Sequence, residues 1–236
     1  MSQRVWRFLP HRRRKQSISA ALRQPPRTSS SLRPADAAIA VRNCAGLFWC
    51  SILGAVMPKL LLIRHCEATA QYPDAPLTAA GTKAAETLGA GLRDLSPDAV
   101  YSSPYERARA TVRPFAVLAG LPVRLDDRLR ERVLSEHELE DWLDHVRRSF
   151  AEPNYRAPGG EGLDEAQSRA AAALADIAAA GHRLPVVVSH GNLIAAVLRS
   201  MDAAFGFAQW RSLRNPDLFE VELEAGQPVR FVRLDP

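Results

Sequence analysis

Lys59-Leu60-Leu61-Leu62-Ile63-Arg64-His65-Cys66-Glu67-Ala68-Thr69 is the stretch around which the rest of the chain is organised. Four consecutive apolar residues between Lys59 and Arg64 predict a short strand buried on both faces, as in a parallel sheet covered by helices. The strand ends abruptly at an arginine, a histidine and a carboxylate. In open α/β sheets ligands gather at the carboxyl ends of the strands, so a cation and an imidazole placed there would face an anion. Taken alone, the stretch reads as an ordinary strand end with charged residues turning into solvent.

Downstream of this strand, helical and strand patterns alternate. A proline-punctuated loop, Tyr72-Pro73-Asp74-Ala75-Pro76, leads to Thr78 as an N-cap. A helix is predicted from Ala79 to Leu95, with Ala84, Leu88, Leu92 and Leu95 on one face. Ala99-Val100-Tyr101-Ser102 reads as a second strand. Pro104, at a first helical position, opens a helix to about Ala119 that Gly120 and Pro122 end. Val123–Leu125 offers a third strand, and residues 131–158 read as irregular.

Asp164 is expected to cap an Ala-rich helix running to Ala180. Pro185-Val186-Val187-Val188-Ser189 is another fully buried strand, followed by His190-Gly191-Asn192 and a helix to Met201. Leu218–Leu223 and Val229–Leu234 flank Ala225-Gly226-Gln227 as a closing hairpin. Strands spaced by helices predict a three-layer α/β/α fold with a mostly parallel central sheet.

Charge is unevenly spread over the 236 residues. Residues 1–56 hold ten Lys/Arg and a single acid, Asp36, whereas the remainder holds 21 basic and 25 acidic residues. The high pI of about 9.5 therefore belongs to the leader, and a nucleic-acid partner is not implied. The leader, rich in Arg, Ser and Pro, is expected to be disordered, with residues 57–236 as the globular domain.

Three readings compete for that leader. It resembles an organelle transit peptide in composition and a signal peptide in its order of basic then apolar residues, though the basic region is far too long for the latter. The third reading, favoured because Met57-Pro58-Lys59 runs directly into the first strand, is that Met57 is the natural start. The apolar piece Cys44–Val56 is too short to span a bilayer, which takes about 20 residues. Three cysteines, Cys44, Cys50 and Cys66, form neither a disulfide framework nor a zinc spacing. They suit a reducing, cytoplasmic setting.

Two buried strands each end in a histidine, at Arg64-His65 and Ser189-His190. A third ends in Ser102-Ser103-Pro104, with Arg107 and Arg109 in the helix just beyond. If these strands are parallel neighbours, two histidines and at least two arginines converge on one sheet edge. Arg64-His65-Cys66-Glu67, Pro76-Leu77-Thr78-Ala79-Ala80-Gly81, Ser102-Ser103-Pro104-Tyr105-Glu106-Arg107-Ala108, Glu131-Arg132, Gly159-Gly160-Glu161 and Ser189-His190-Gly191-Asn192 occur in that order. The ordered set, spanning about residues 58 to 222, resembles the histidine phosphatase superfamily, which includes the cofactor-dependent phosphoglycerate mutases.

The resemblance implies a phosphoglycerate mutase-like fold and a phosphohistidine mechanism on a small phosphorylated metabolite. Phosphomonoester hydrolysis needs accelerations up to about 10²¹, so several cations must hold the phosphoryl oxygens. Arg64 and Arg107 would do so through forked, charge-assisted hydrogen bonds, with His190 as a further donor. His65 would attack phosphorus, splitting one hard step into two, and must be neutral to do so; nearby arginines disfavour its protonated form. Glu131 matches the general acid, its proton coming from a raised pKa or arriving with the substrate. Thr69, Gln71, Gly191 and Asn192 fall at substrate-binding positions. No metal or other cofactor is implied, and the oligomeric state is left open.

The chain departs from the family pattern at several places. Ala68 stands where Ser or Thr is usual, with Thr69 one place later. Gln71 replaces a phosphate-contacting asparagine, and Cys66 replaces a glycine, tightening the turn or making it oxidisable. After Glu131 the chain lacks the tyrosine-containing run and the basic residues with which mutases hold a phosphoglycerate. Phosphatase activity is thus the expectation, a mutase the alternative, and a non-catalytic binding protein of the same fold the third reading. A cysteine phosphatase is excluded because Tyr72 occupies the position that would need arginine. His137-Glu138 lacks the second histidine of a zinc-protease helix, Asp141 standing there. His11, His145 and His182 are expected at the surface, Glu161 as a loop anchor, and Trp142, Phe150 and Tyr155 as a packed lid in preference to the lining of a substrate pocket.

Overall fold

The computed structural model describes residues 57–152 and 154–235. The leader, residues 1–56, with its expected disorder, Cys44, Cys50 and His11, lies outside the described residues.

Six strands form one sheet: β1 (Lys59–Arg64), β2 (Ala99–Ser102), β3 (Val123–Leu125), β4 (Pro185–Ser189), β5 (Asp217–Glu224) and β6 (Gln227–Leu234). Their spatial order is β3-β2-β4-β1-β5-β6. The first four run parallel, and the β5–β6 hairpin joins antiparallel to β1. Ala225 (φ 49°) and Gly226 (φ 79°) make the hairpin turn, the two left-handed residues that match the right-handed twist of the flanking strands.

Helices cover both faces: α1 (Ala79–Leu95), α2 (Glu106–Ala119), α3 (Trp142–Ala151), α4 (Leu163–Ala179), α5 (Gly191–Met201) and the short α6 (Phe207–Arg211). Side-chain alternation along the strands divides the core in two. Leu61, Ile63, Val186 and Val188 pack with Leu88, Leu92, Val112 and Phe115 of α1 and α2. Leu60, Leu62 and Val187 face the other way, against Leu174 and Ile177 of α4 and Leu193 and Ile194 of α5. This is the three-layer α/β/α architecture expected from the alternating pattern. Among the described residues no helix is long and apolar enough to cross a membrane.

The sequence-based boundaries hold closely for the strands and less well for the helix starts. Thr78 does cap α1, its hydroxyl accepting from Gly81 N at 2.9 Å. Leu95, expected on the buried face, is exposed, because α1 turns its Ala85–Leu88–Gly89–Leu92 side inward. Pro104 lies before α2 rather than in it; Tyr105 is the N-cap residue. Gly162, not Asp164, caps α4, and the Glu165 carboxylate reaches back to accept from Gly162 N at 2.8 Å. Residues 131–158 are not wholly irregular, since α3 forms within them by burying Val146, Ser149 and Phe150 on one face.

Candidate active site

Strand register builds the site. β4 lies between β1 and β2, with Arg64 opposite Ser189 and Ser102 opposite Val188. The pairing continues one residue past each strand end: His65 N donates to Ser189 O at 3.0 Å, and Ser103 N donates to Val188 O at 2.9 Å. His65, Ser103 and His190 are therefore fixed by backbone at neighbouring positions of one sheet edge. The loop after His65 is seated on α1, where a Cβ on Gly81 would lie 2.1 Å from Glu67 O. Only glycine fits that approach.

His65 is 4% exposed and its ring is oriented from both sides. Nδ1 lies 2.7 Å from Cys66 O, a group that only accepts, so Nδ1 carries the proton. Nε2 is then a lone pair, and it receives a hydrogen bond from Arg107 Nε at 3.2 Å. Burial, and after it the Arg107 charge, pushes the imidazole pKa well below its ordinary value. The neutral, nucleophilic form expected of this residue is the one that the surroundings favour. Asn215 Nδ2 donates to the His65 carbonyl at 2.7 Å.

Arg107 is 1% exposed and lies behind His65. Its Nη1 donates to the carbonyls of Gln71 and Tyr72 at 3.0 and 3.1 Å, and its guanidinium carbon sits 4.9 Å from the Tyr105 ring centroid. Part of the expected phosphate fork is thus committed to the loop after His65. Arg64 is placed differently. Its Nη1 donates to Leu213 O at 2.8 Å, while its buried Nε has no hydrogen-bond partner among the described residues. The guanidinium lies flat on the start of α5, where a Cβ on Gly191 would come within 3.2 Å of Arg64 Cζ.

His190 is fully buried, with its ring 5.0 Å from that of His65. Its Nε2 is 2.7 Å from Ser103 Oγ, and its Nδ1 has no partner among the described residues. Burial and then the Arg107 charge hold its pKa well below the ordinary range. Glu131 reaches the same place from the loop after the 3₁₀ turn Asp127–Leu129. Its carboxylate accepts from Arg132 N at 2.8 Å, and from Leu193 N and Asn192 N at 3.2 and 3.3 Å at the α5 N-terminus.

A cavity of about 1030 Å³ opens over this edge. Arg64, His65, Thr69, Gln71, Glu131, Gly191 and Asn192, seven of the nine residues singled out from sequence, line it. Arg107 and His190 are not in the lining, and both contact the His65 ring. Arg109 belongs elsewhere: its partly exposed side chain pairs with Glu106 at 3.5 Å. Glu161 is the anchor expected, gripping Arg169 through both oxygens at 2.5 and 2.8 Å. Trp142 lines the cavity, whereas Phe150 is core and Tyr155 bonds His145. His145 and His182 are at the surface only in part, His182 accepting a bond from or donating one to Tyr101 Oη.

The Cys66 thiol is buried, and burial pushes its pKa up to about 11 against a smaller lowering by Thr111. A neutral, shielded thiol is poorly oxidisable, so of the two effects expected from Cys66 only the geometric one fits. Sequence reasoning quoted Ser103 and Tyr105 within a motif without giving them roles; they turn out to hold His190 and Arg107. Thr111, four residues after Arg107, accepts from Cys66 N at 2.8 Å and donates to Arg107 O at 2.7 Å. That spacing on one helix was the available signal.

Known proteins resemble the chain over this same region. It is 29% identical, over 189 residues that cover 72% of this chain and 87% of the relative, to the probable phosphoglycerate mutase GpmB of Salmonella choleraesuis (strain SC-B67). Mycobacterial glucosyl-3-phosphoglycerate phosphatase, in complex with inorganic phosphate, superposes with a TM-score of 0.61 at 25% identity, covering 75% of this chain and 96% of that one. Phosphoserine phosphatase from Entamoeba histolytica shares the fold with a TM-score of 0.59 at 22% identity, covering 74% and 96%. The family profile described as histidine phosphatase superfamily (branch 1) matches residues 60–234. With both strand-end histidines, both arginines and the glutamate on one sheet edge, the chain belongs to that superfamily.

Proposed function

We propose that this chain is a phosphomonoester hydrolase that works through a phosphohistidine at His65 on a small phosphorylated metabolite. The observation that carries this reading is the orientation of His65: Nδ1–H on the Cys66 carbonyl leaves the Nε2 lone pair as the nucleophile. Arg64 lines the cavity, and its guanidinium supplies a donor for a phosphoryl oxygen.

In the first step Nε2 attacks phosphorus and the ester P–O bond breaks. The leaving oxygen takes a proton from Glu131 and departs as the alcohol. Both Glu131 oxygens accept backbone N–H groups, and the proton that Glu131 passes on arrives with the phosphate monoanion. In the second step water attacks the phosphohistidine, Glu131 takes the water proton, and inorganic phosphate leaves with His65 neutral again. Arg107 and His190 stabilise the charge that develops beside Nε2.

The test is phosphate release from p-nitrophenyl phosphate and a panel of sugar phosphates, phosphoglycerates and nucleotides. The full chain turns over at least one ester with EDTA present, and acid-labile, base-stable phosphate is trapped on the protein. His65→Ala loses both the label and at least about 10⁴ in kcat. A mutase is the second reading, favoured by the name of the curated relative. Conversion of 3-phosphoglycerate to its isomer without free phosphate would establish it instead.

A further inference from the structure

We propose that the rim of the active-site cavity selects phosphate esters whose alcohol portion carries a positively charged nitrogen. This rests on the phosphatase reading above and deepens it to a substrate class. The floor of the cavity is cationic: Arg64 lies there with its Nε buried and unpartnered among the described residues. Asn192, 2% exposed, lines the same cavity with its Oδ1 likewise unpartnered.

The rim has the opposite sign. Glu138, Glu140 and Asp141, from the loop before α3, are exposed residues of the same lining. Asp141 pairs with His145 Nε2 at 3.1 Å, while Glu138 and Glu140 have no ion-pair partner among the described residues. Against these three carboxylates the rim has Arg211, whose guanidinium carbon lies 5.8 Å from the Phe207 ring centroid.

The same lining includes two indoles. Trp142 and Trp210 meet edge to face at 6.3 Å, and Phe207 stacks on Trp210 at 5.4 Å. Indole faces and carboxylates together attract an ammonium group. The same carboxylates repel a second anion, such as the carboxylate of a phosphoglycerate. A cavity cationic at the floor and anionic and aromatic at the rim is complementary to a molecule with phosphate at one end and a cation at the other.

The experiment compares choline phosphate with its carbon isostere, 3,3-dimethylbutyl phosphate, which has the same shape without the charge. 3-Phosphoglycerate is the anionic member and p-nitrophenyl phosphate the generic reporter. We expect kcat/KM for choline phosphate to exceed that of the isostere by roughly tenfold, with 3-phosphoglycerate slowest. The double variant Glu138→Gln, Glu140→Gln brings the first ratio towards one. Where turnover of the pair is slow, their inhibition constants against p-nitrophenyl phosphate read the same ratio. Equal values for the charged and neutral esters, or preference for 3-phosphoglycerate, overturn the inference while His65-dependent hydrolysis of p-nitrophenyl phosphate keeps the hydrolase. Loss of that His65 dependence overturns the underlying reading instead.

Discussion

The sheet edge and the segment from Arg132 to Gly162 both line one cavity, yet they are built on different principles. At the edge, His65, Ser103 and His190 each directly follow a buried strand, and the backbone ladder runs past the strand ends to His65 and Ser103. The 132–162 segment has no ladder. It is held by side chains: Arg132 donates to Glu161 O at 2.9 Å and to Ser149 Oγ at 2.8 Å, and Ser135 donates to Pro158 O at 3.1 Å. The contrast separates what must be rigid from what can vary. Bond-making groups need sub-ångström placement, which a packed sheet provides, whereas substrate choice is set on loops that can change without disturbing it.

The sharpest way to break this contrast is at the edge. Arg107→Lys keeps the charge but loses the bond from Nε to His65 and the fork that ties the Gln71 and Tyr72 carbonyls. A drop of about 10² to 10³ in kcat is expected, read as phosphate release; near-native turnover would mean that a point charge suffices there. On the other side, Arg132→Met unties α3 from the loop that carries Glu161 and leaves the half-buried Glu161 carbonyl without this partner. A loss of about 2 kcal/mol is expected in urea unfolding, with KM rising more than kcat falls. If kcat falls as far as in the Arg107 variant, the segment is as much a part of the catalytic scaffold as the strands.

The smallest effect is on stability against pH. Burial first and the Arg107 charge second keep His65 and His190 well below their ordinary pKa in the folded state. In the unfolded chain they protonate near pH 6.5. Their contribution is therefore fully present above about pH 6.5 and is lost as the pH falls, because the unfolded state takes up protons that the folded state refuses. The urea midpoint should decline from pH 7.5 to pH 5.5, and decline less in His190→Asn. An identical decline in the variant would place the sensitivity elsewhere.

The same division explains what could be read in the chain. Strands such as Leu60–Ile63 and Val186–Val188 are legible because burial on both faces leaves an uninterrupted apolar run. The histidines stand out because they end those runs. Helix α3 is less legible: its inward residues Val146, Ser149 and Phe150 are interleaved with Asp144, Arg147 and Arg148, and a buried serine hides the periodicity. Its Ser149 is inward because Arg132 needs a partner, a tertiary requirement with no local signature. Tyr105 as the α2 cap residue and Gly162 at the start of α4 were missed for a related reason. Pro104 and Asp164 are stronger local signals, but the strand register and the Glu165 bond decide where each helix begins.

The pairing of Arg64 with Ser189 also has a consequence for how the molecule is made. The two histidines reach one edge only when a strand near the beginning of the domain meets one from its last third, with α1 to α4 intervening. Closing so long a loop is the entropically costly part of folding and makes such topologies slow. A chain halted on the ribosome before Pro185 would hold His65 without His190, and no site. During refolding, activity should return with the last structural phase, so that turnover itself reports that the sheet has closed.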